Sequence, residues 1–244
     1  MQIDILTIFP SMFSPLSESI LGKAREKRII TLNIHDIRDY SADKHKSVDD
    51  TPYGGGAGMV LMAEPIIKAL GSLKKQNKGS RVILMSPSGK RLDQAKLEQL
   101  SKEKGLIVIC GRYEGIDDRV RERFVDEEIS VGDYVLSGGE LPAMVLIEGI
   151  SRLIPGVLGD EASKEFDSFS DGLLEGPQYT KPEDVSGMKV PKVLLSGNHK
   201  AIDGFRREQS LKKTLLNNPD LFVKAQLDGE DRKLLNDMIA GEQS

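Results

Sequence analysis

The decamer LIVICGRYEG, Leu106 to Gly115, sets five apolar residues directly before a loop that opens and closes on glycine. A run that short, halted by glycine, is a strand buried on both faces, and such strands belong to parallel sheets covered by helices. Toward the amino terminus, Arg81 to Met85 (RVILM) is a second run of this kind ending in Ser86-Pro87, and Ile3 to Phe9 (IDILTIF) is a third. Ile30 to Ile37 adds a strand. Helical patterns lie between: Leu16 to Lys27 ends on basic residues, Pro65 opens a helix at its first position, and Asp93 caps another that stops near Gly105. Toward the carboxyl terminus, a strand through Ile129 and Val131 leads to GDYVLSGG, Gly132 to Gly139, and a helix carrying Leu141, Val145, Ile150 and Leu153. The expected fold class is α/β, a mainly parallel sheet with helices on both faces.

Beyond Pro155-Gly156 the composition changes. Residues 159–176, GDEASKEFDSFSDGLLEG, are polar, acidic and short of β-branched residues, which predicts a mobile segment. Helical texture returns over Gly204 to Asn217 and Glu230 to Ala240, separated by Asn218-Pro219. The expected organisation is a sheet domain over 1–159, a flexible linker over 160–176 and a small helical carboxyl-terminal domain over 177–244.

Composition limits the function. With 244 residues, 39% hydrophobic and 30% charged, the chain can bury a core, which excludes wholesale disorder. No cationic start with an apolar stretch precedes the first strand, so neither a leader nor a spanning helix is expected, and the protein is expected in the cytoplasm without a membrane partner. One cysteine, Cys110, forbids an intrachain disulfide, and His35, His45 and His199 lack metal-ligand spacing. The net charge of −4 disfavours indiscriminate binding to nucleic acid, and no DNA partner is expected. From Lys181 to Leu216, however, eight Lys or Arg stand against four Asp or Glu, a local reversal of sign that suits either a polyanion or a solvated helix face.

Three glycine-rich loops, Tyr53 to Gly58, Gly111 to Gly115 and Ser137 to Glu140, lie at or near strand carboxyl ends, where open α/β sheets hold ligands. There is no G-x-x-x-x-G-K-[ST] and no G-x-G-x-x-G after the first strand, which removes the phosphate cradle and the dinucleotide fingerprint. Glycines without a phosphate-binding lysine suit an uncharged adenosine moiety better than a triphosphate.

The ordered segments DDTPYGGGAGM (49–59), CGRYEGID (110–117), SVGDYVLSGGELP (130–142) and SGNH (196–199) closely resemble those of the bacterial tRNA (guanine-N1)-methyltransferase family, TrmD, and the likeness runs from Ile3 to about Leu221. This resemblance implies a SPOUT-class fold with a deep trefoil knot, which packing rules alone would not suggest. It implies S-adenosylmethionine bound by Ser86, Pro87, Gly111, Arg112, Tyr113, Glu114, Val131, Gly132, Tyr134, Leu136, Gly138, Gly139 and Pro142. It also implies an obligate homodimer whose active sites are completed by the partner's linker and tail.

Methylation at guanine N1 needs a base for the N1 proton and a cation for charge developing on O6. The resemblance places these at Asp167 and Arg152, with Glu114 accepting from the guanine edge. Taken alone, Asp167 is one acid among several in a solvated segment, Asp171 and Glu165 being its neighbours in that role, and Arg152 suits the end of a helix. For the tail the resemblance implies binding of the tRNA anticodon stem-loop, with the guanine at position 37 extruded into the pocket. Ser196, His199, Lys200, Arg206, Arg207, Lys212 and Lys213 are the expected contacts. Gln178 and Phe205 depart from the family pattern of His and Trp. Mg²⁺ is associated with the family, and no carboxylate cluster in the sequence identifies a site for it. The competing readings are another SPOUT methylase acting on a ribose 2′-hydroxyl, and an RNA-binding protein without catalysis.

Overall fold

The computed structural model describes residues 1–158 and 167–241, with side-chain placement through residue 238. By contacts the chain forms two compact units, residues 1–159 and 160–244. The first is built on strands β1 (Gln2–Thr7), β2 (Thr31–Asp36), β5 (Arg81–Arg91), β6 (Gly105–Cys110) and β7 (Glu127–Ser130), joined in the order β2-β1-β6-β5-β7. Every pairing in this sheet is parallel. The intervening short strands β3 (Asp49–Asp50) and β4 (Val60–Leu61) form an antiparallel pair joined by the first glycine loop.

Helices cover both faces. On one, α1 (Ser19–Glu26), α3 (Gln94–Leu100) and α5 (Glu140–Leu153) bury Leu21, Leu100, Leu146 and Ile150 against Ile3, Ile5 and Val108 of the sheet. On the other, α2 (Ala63–Gln76) and α4 (Asp118–Phe124) set Ile66, Leu70, Leu73 and Val120 against Leu6, Ile107 and Ile109. Alternate residues of β1 therefore serve opposite cores, the period-two rule of a strand buried on both sides. In α5 the fully buried Ala143, Leu146, Ile147 and Ile150 follow helical spacing, each large side chain contributing on the order of 2 kcal/mol by burial.

One polar residue interrupts this interior. Asp4 is 1% exposed, and its carboxylate accepts hydrogen bonds from Gln2, Asn33, His35 and Asn77 at 2.9–3.0 Å. Burial alone would raise its pKa, but the four donors outweigh it and hold the carboxyl below the usual value.

Several sequence-based boundaries shift. The residues before α1, Pro10–Ser17, form 3-10 turns, and the extended backbone of Glu18 separates them from α1, so the helix begins at Ser19 and not at Leu16. Pro65 is the third residue of α2, still within the turn whose amides lack helical partners. β5 continues past Ser86-Pro87 to Arg91 through a register shift between Met85 and Lys90. Asp93 does cap α3, accepting from the Lys96 amide at 2.8 Å, but the helix ends at Leu100. Val131 lies just beyond β7.

The second unit contains a two-stranded hairpin, β8 (Asp184–Val185) and β9 (Met188–Lys189), followed by α6 (His199–Asn217), α7 (Pro219–Lys224) and α8 (Gly229–Gly241). Asn198 caps α6 through the Ala201 amide at 3.2 Å, so this helix starts five residues before Gly204. Residues 160–166 of the expected linker lie outside the described residues. Residues 167–176 make contacts with α6. The Leu174 amide donates to Thr214 Oγ1 at 2.8 Å, Ser210 Oγ donates to the Leu174 carbonyl at 2.6 Å, and Leu173 is buried. The acidic, glycine-punctuated composition concealed two leucines that dock this segment on α6. Among the described residues no helix is long and apolar enough to cross a membrane.

Candidate active site

A cleft of about 580 Å³ opens at the carboxyl ends of β5, β6 and β7. The parallel sheet explains its place, since three strand ends release their chains into loops on the same edge. All thirteen residues expected at a cofactor site line it: Ser86 and Pro87 beyond the apolar part of β5, Gly111 to Glu114 after β6, Val131, Gly132, Tyr134 and Leu136 after β7, and Gly138, Gly139 and Pro142 at the start of α5.

Main-chain contacts fix the loops to one another. Gly139 donates its amide to the Gly111 carbonyl at 2.9 Å, and Arg112 forms an isolated bridge with Gly138. A Cβ on Gly139 would stand 2.8 Å from Cys110 Cα and 3.2 Å from Met85 Cβ, so this position needs glycine for close approach. Tyr113, by contrast, is a bulky residue held at φ +61°, an uncommon backbone state that points its ring, half-exposed, along the cleft. The first glycine loop is outside the cleft wall but braces it: the Glu114 amide donates to the Met59 carbonyl at 3.0 Å.

Behind the loops lies a charge pair that the sequence did not single out. Glu140, 0% exposed, accepts from Arg112 Nε at 2.9 Å through Oε2 and from Thr7 Oγ1 at 2.9 Å through Oε1. The Arg112 guanidinium also stands 4.6 Å over the Phe9 ring. Glu140 opens α5, where the helix dipole favours a carboxylate. An acid at the head of an otherwise apolar helix was the available signal. Cys110, wholly buried at the end of β6, has its thiol pKa pushed well up by burial and stands as a packing residue. On the cleft wall Arg121 pairs with Asp118 and approaches Glu128 at 3.6 Å, while among the described residues no cation pairs with Glu114.

From residue 1 to 224 the sequence matches the family model described as tRNA (guanine-1)-methyltransferase TrmD. The chain belongs to the TrmD family. Three proteins named tRNA (guanine-N(1)-)-methyltransferase illustrate the similarity. That of Heliobacterium modesticaldum is 54% identical over 98% of this chain and 91% of its own length. That of Geotalea uraniireducens is 53% identical over 99% of both chains. That of Carboxydothermus hydrogenoformans is 56% identical over 96% of this chain and 92% of its own.

The remaining residues that the TrmD resemblance nominated fall in two places. Arg152 occupies the last turn of α5, half-buried and engaged by other groups, in the first unit. Asp167 belongs to the second unit, at the head of a turn in which the Ser170 amide donates to the Asp167 carbonyl at 3.2 Å. Glu165 lies outside the described residues. His199, Lys200, Arg206 and Lys212 are exposed along α6, and Ser196, also exposed, turns its hydroxyl back to the Val193 carbonyl at 2.7 Å. Lys213 is exposed and donates to the Glu175 carbonyl at 3.0 Å. Phe205 is half-buried, and Gln178 hydrogen-bonds Glu175.

Arg207, one of the expected phosphate contacts, faces carboxylates. Its Nε and Nη2 donate to the two carboxylate oxygens of Asp231 at 2.7 and 2.8 Å, and Nη1 donates to Asp171. Three of its five N–H donors are thus engaged by two carboxylates. Hydrogen bonding to Arg207 holds the Asp231 carboxyl below the usual range despite burial. Among the described residues, no group of three or more His, Cys, Asp or Glu is placed to hold a metal ion.

Proposed function

We propose that this protein transfers a methyl group from S-adenosylmethionine to N1 of the guanine at tRNA position 37, beside the anticodon, in the cytoplasm. The observation that carries this reading is the convergence of the Gly111, Val131 and Gly138 loops on one cleft at the strand carboxyl ends, in a chain of the TrmD family. A SPOUT-type knot through these loops belongs to the same proposal.

The cleft residues fit that donor. Its volume lies in the range of small-molecule sites, and its wall offers main-chain groups of glycines, apolar Leu136 and the Tyr134 ring, while its two arginines, Arg112 and Arg121, are paired with Glu140 and Asp118. Such a lining suits adenosine without phosphates. When bound, S-adenosylmethionine supplies a methyl group on a cationic sulfur, beside which the Glu114 carboxylate is electrostatically suitable. Gly111, Leu136, Gly138 and Pro142 would hold the nucleoside.

The chain's own work is proton and charge management. Asp167 accepts the N1 proton of guanine, and Arg152 stabilises the charge that deprotonation leaves on O6. Glu114 accepts from the donor edge of the base and orients it. Lys200, Arg206, Lys212 and Lys213 meet phosphates, which position the tRNA without reading its sequence. We further propose a homodimer in which the segment bearing Asp167 serves the partner subunit's cleft. Exposed Leu141 and Val145, one turn apart on α5, support a second copy covering that face.

Incubation with labelled S-adenosylmethionine and tRNA, followed by nucleoside digestion, is expected to give 1-methylguanosine. A product methylated only on ribose would overturn the proposal in favour of a 2′-O-methylase, and donor binding without any product would favour a non-catalytic RNA-binding protein.

A further inference from the structure

The Asp167 turn is closed on itself and fastened at two levels. Within it, the Phe169 amide donates to the Leu173 carbonyl at 2.7 Å, and the Glu175 amide donates to Ser168 Oγ at 3.0 Å. Its base rests on α6 through Leu174, Thr214 and Ser210. Its upper part is fastened to α6 by a side chain: Asp171 accepts from the Leu173 amide through Oδ1, at 3.2 Å, and from Arg207 through Oδ2. Arg207 is itself immobilised, because both its remaining donor positions grip Asp231 on α8, which is 2% exposed. This bidentate grip on a buried carboxylate orients the guanidinium, and Asp171 receives its direction from it.

We propose that Arg207 is a positioning residue for methyl transfer: through Asp171 it fixes the turn that carries Asp167 and thereby sets where that carboxylate stands. The inference rests on the reading of Asp167 as the base. It assigns Arg207 to the chemical step and not to tRNA affinity, although the residue sits in the basic stretch of the tail. It also assigns Asp171 as the link and not as a second base, since one of its oxygens is committed to Arg207 and the other to the Leu173 amide.

The test uses the full chain. Asp171→Asn loosens the link, because one neutral carbonyl oxygen must replace two carboxylate oxygens that serve Arg207 and the Leu173 amide; the Arg207–Asp231 grip stays in place, and Asp171 is half-exposed, so the fold should survive. Misplacing a reacting group by about 1 Å costs up to roughly 100-fold in rate, so the single-turnover rate of Asp171→Asn is expected to fall about 10- to 100-fold. Its Kd for tRNA, the salt slope of that Kd and its Kd for S-adenosylmethionine should all stay at wild-type values. In an Asp167→Asn background the same change should cost nothing further, because a residue acting only through Asp167 has nothing left to position. Arg207→Lys, which keeps the charge but cannot span both carboxylates, should lose rate as Asp171→Asn does.

Wild-type rates in Asp171→Asn, or losses that multiply with Asp167→Asn, overturn the inference while the base assignment stands. Weaker tRNA binding with a shallower salt slope in Arg207→Gln, which removes the charge, also overturns it and restores a phosphate contact. Full activity in Asp167→Asn overturns the base assignment instead.

Discussion

Glu140 and Arg112 meet at 2.9 Å behind the cleft, the carboxylate fully buried and the guanidinium 18% exposed. The pair joins the loop after β6 to the first turn of α5, two segments that the glycines bring into main-chain contact. Truncating one member of a buried pair strands the other, at a cost of about 3–5 kcal/mol. Glu140→Ala is therefore expected to lower the unfolding free energy by an amount in that range and to weaken S-adenosylmethionine binding. Denaturation and calorimetry measure the two effects separately, and Glu140→Gln, which can still accept from Arg112, should lose less of both.

Gly139→Ala should damage the cleft more than the core. The added methyl would fall 2.8 Å from Cys110 Cα, and main chain at a strand end has no side-chain rotamer with which to yield. Calorimetric titration with S-adenosylmethionine is expected to show at least tenfold weaker binding, while the far-ultraviolet spectrum is retained.

Asp167→Ala should separate binding from chemistry. A positioned general base supplies about 10²- to 10⁴-fold in rate, so single turnover should slow by that factor with donor affinity unchanged. Retention of the wild-type rate would remove Asp167 from the mechanism.

The Asp4 cluster predicts the acid limb of stability. Its carboxyl is held below the usual value in the folded chain, so the stabilisation it confers is complete above the unfolded carboxyl's pKa of about 3.9. That contribution is lost as pH falls through the lower folded value. Asp4→Asn places an amide among donors and should cost about 1–3 kcal/mol at pH 7. The gap from wild type should narrow as pH falls below the unfolded value, where the unfolded carboxyl takes up a proton that the folded one resists; urea titrations at pH 7 and pH 3 test the trend.

Arg206 and Arg207 are adjacent in sequence and opposite in expectation. Arg206→Ala should weaken tRNA binding and reduce the slope of log K against log salt by about one, as loss of one phosphate contact requires. Binding isotherms over a range of salt concentrations read this directly, and an unchanged slope would make Arg206 part of a solvated face.

Much of the sheet was written locally. Leu106 to Cys110 and Arg81 to Met85 are apolar without alternation because both faces of β6 and β5 are covered, a property a short segment declares by itself. Helix ends were less legible, since the helix after Asp93 stops at Leu100, where no glycine or proline marks the end. The acidic stretch around Asp167 gave no sign of its contacts with α6, where the Thr214 and Ser210 hydroxyls bond the Leu174 main chain, because partners 36 and 40 positions away leave no local pattern.

The sequence by itself determined the parallel α/β class, the cleft-forming loops and the family, because strand burial, glycine placement and long ordered motifs are encoded in neighbouring residues. Only the tertiary structure decided which charges are spent inside the protein. Arg112 finds Glu140 across 28 positions, and Arg207 finds Asp171 and Asp231 across 36 and 24. Coulomb attraction and hydrogen bonding depend on distance in space, and sequence separation carries none of that distance until the chain has folded.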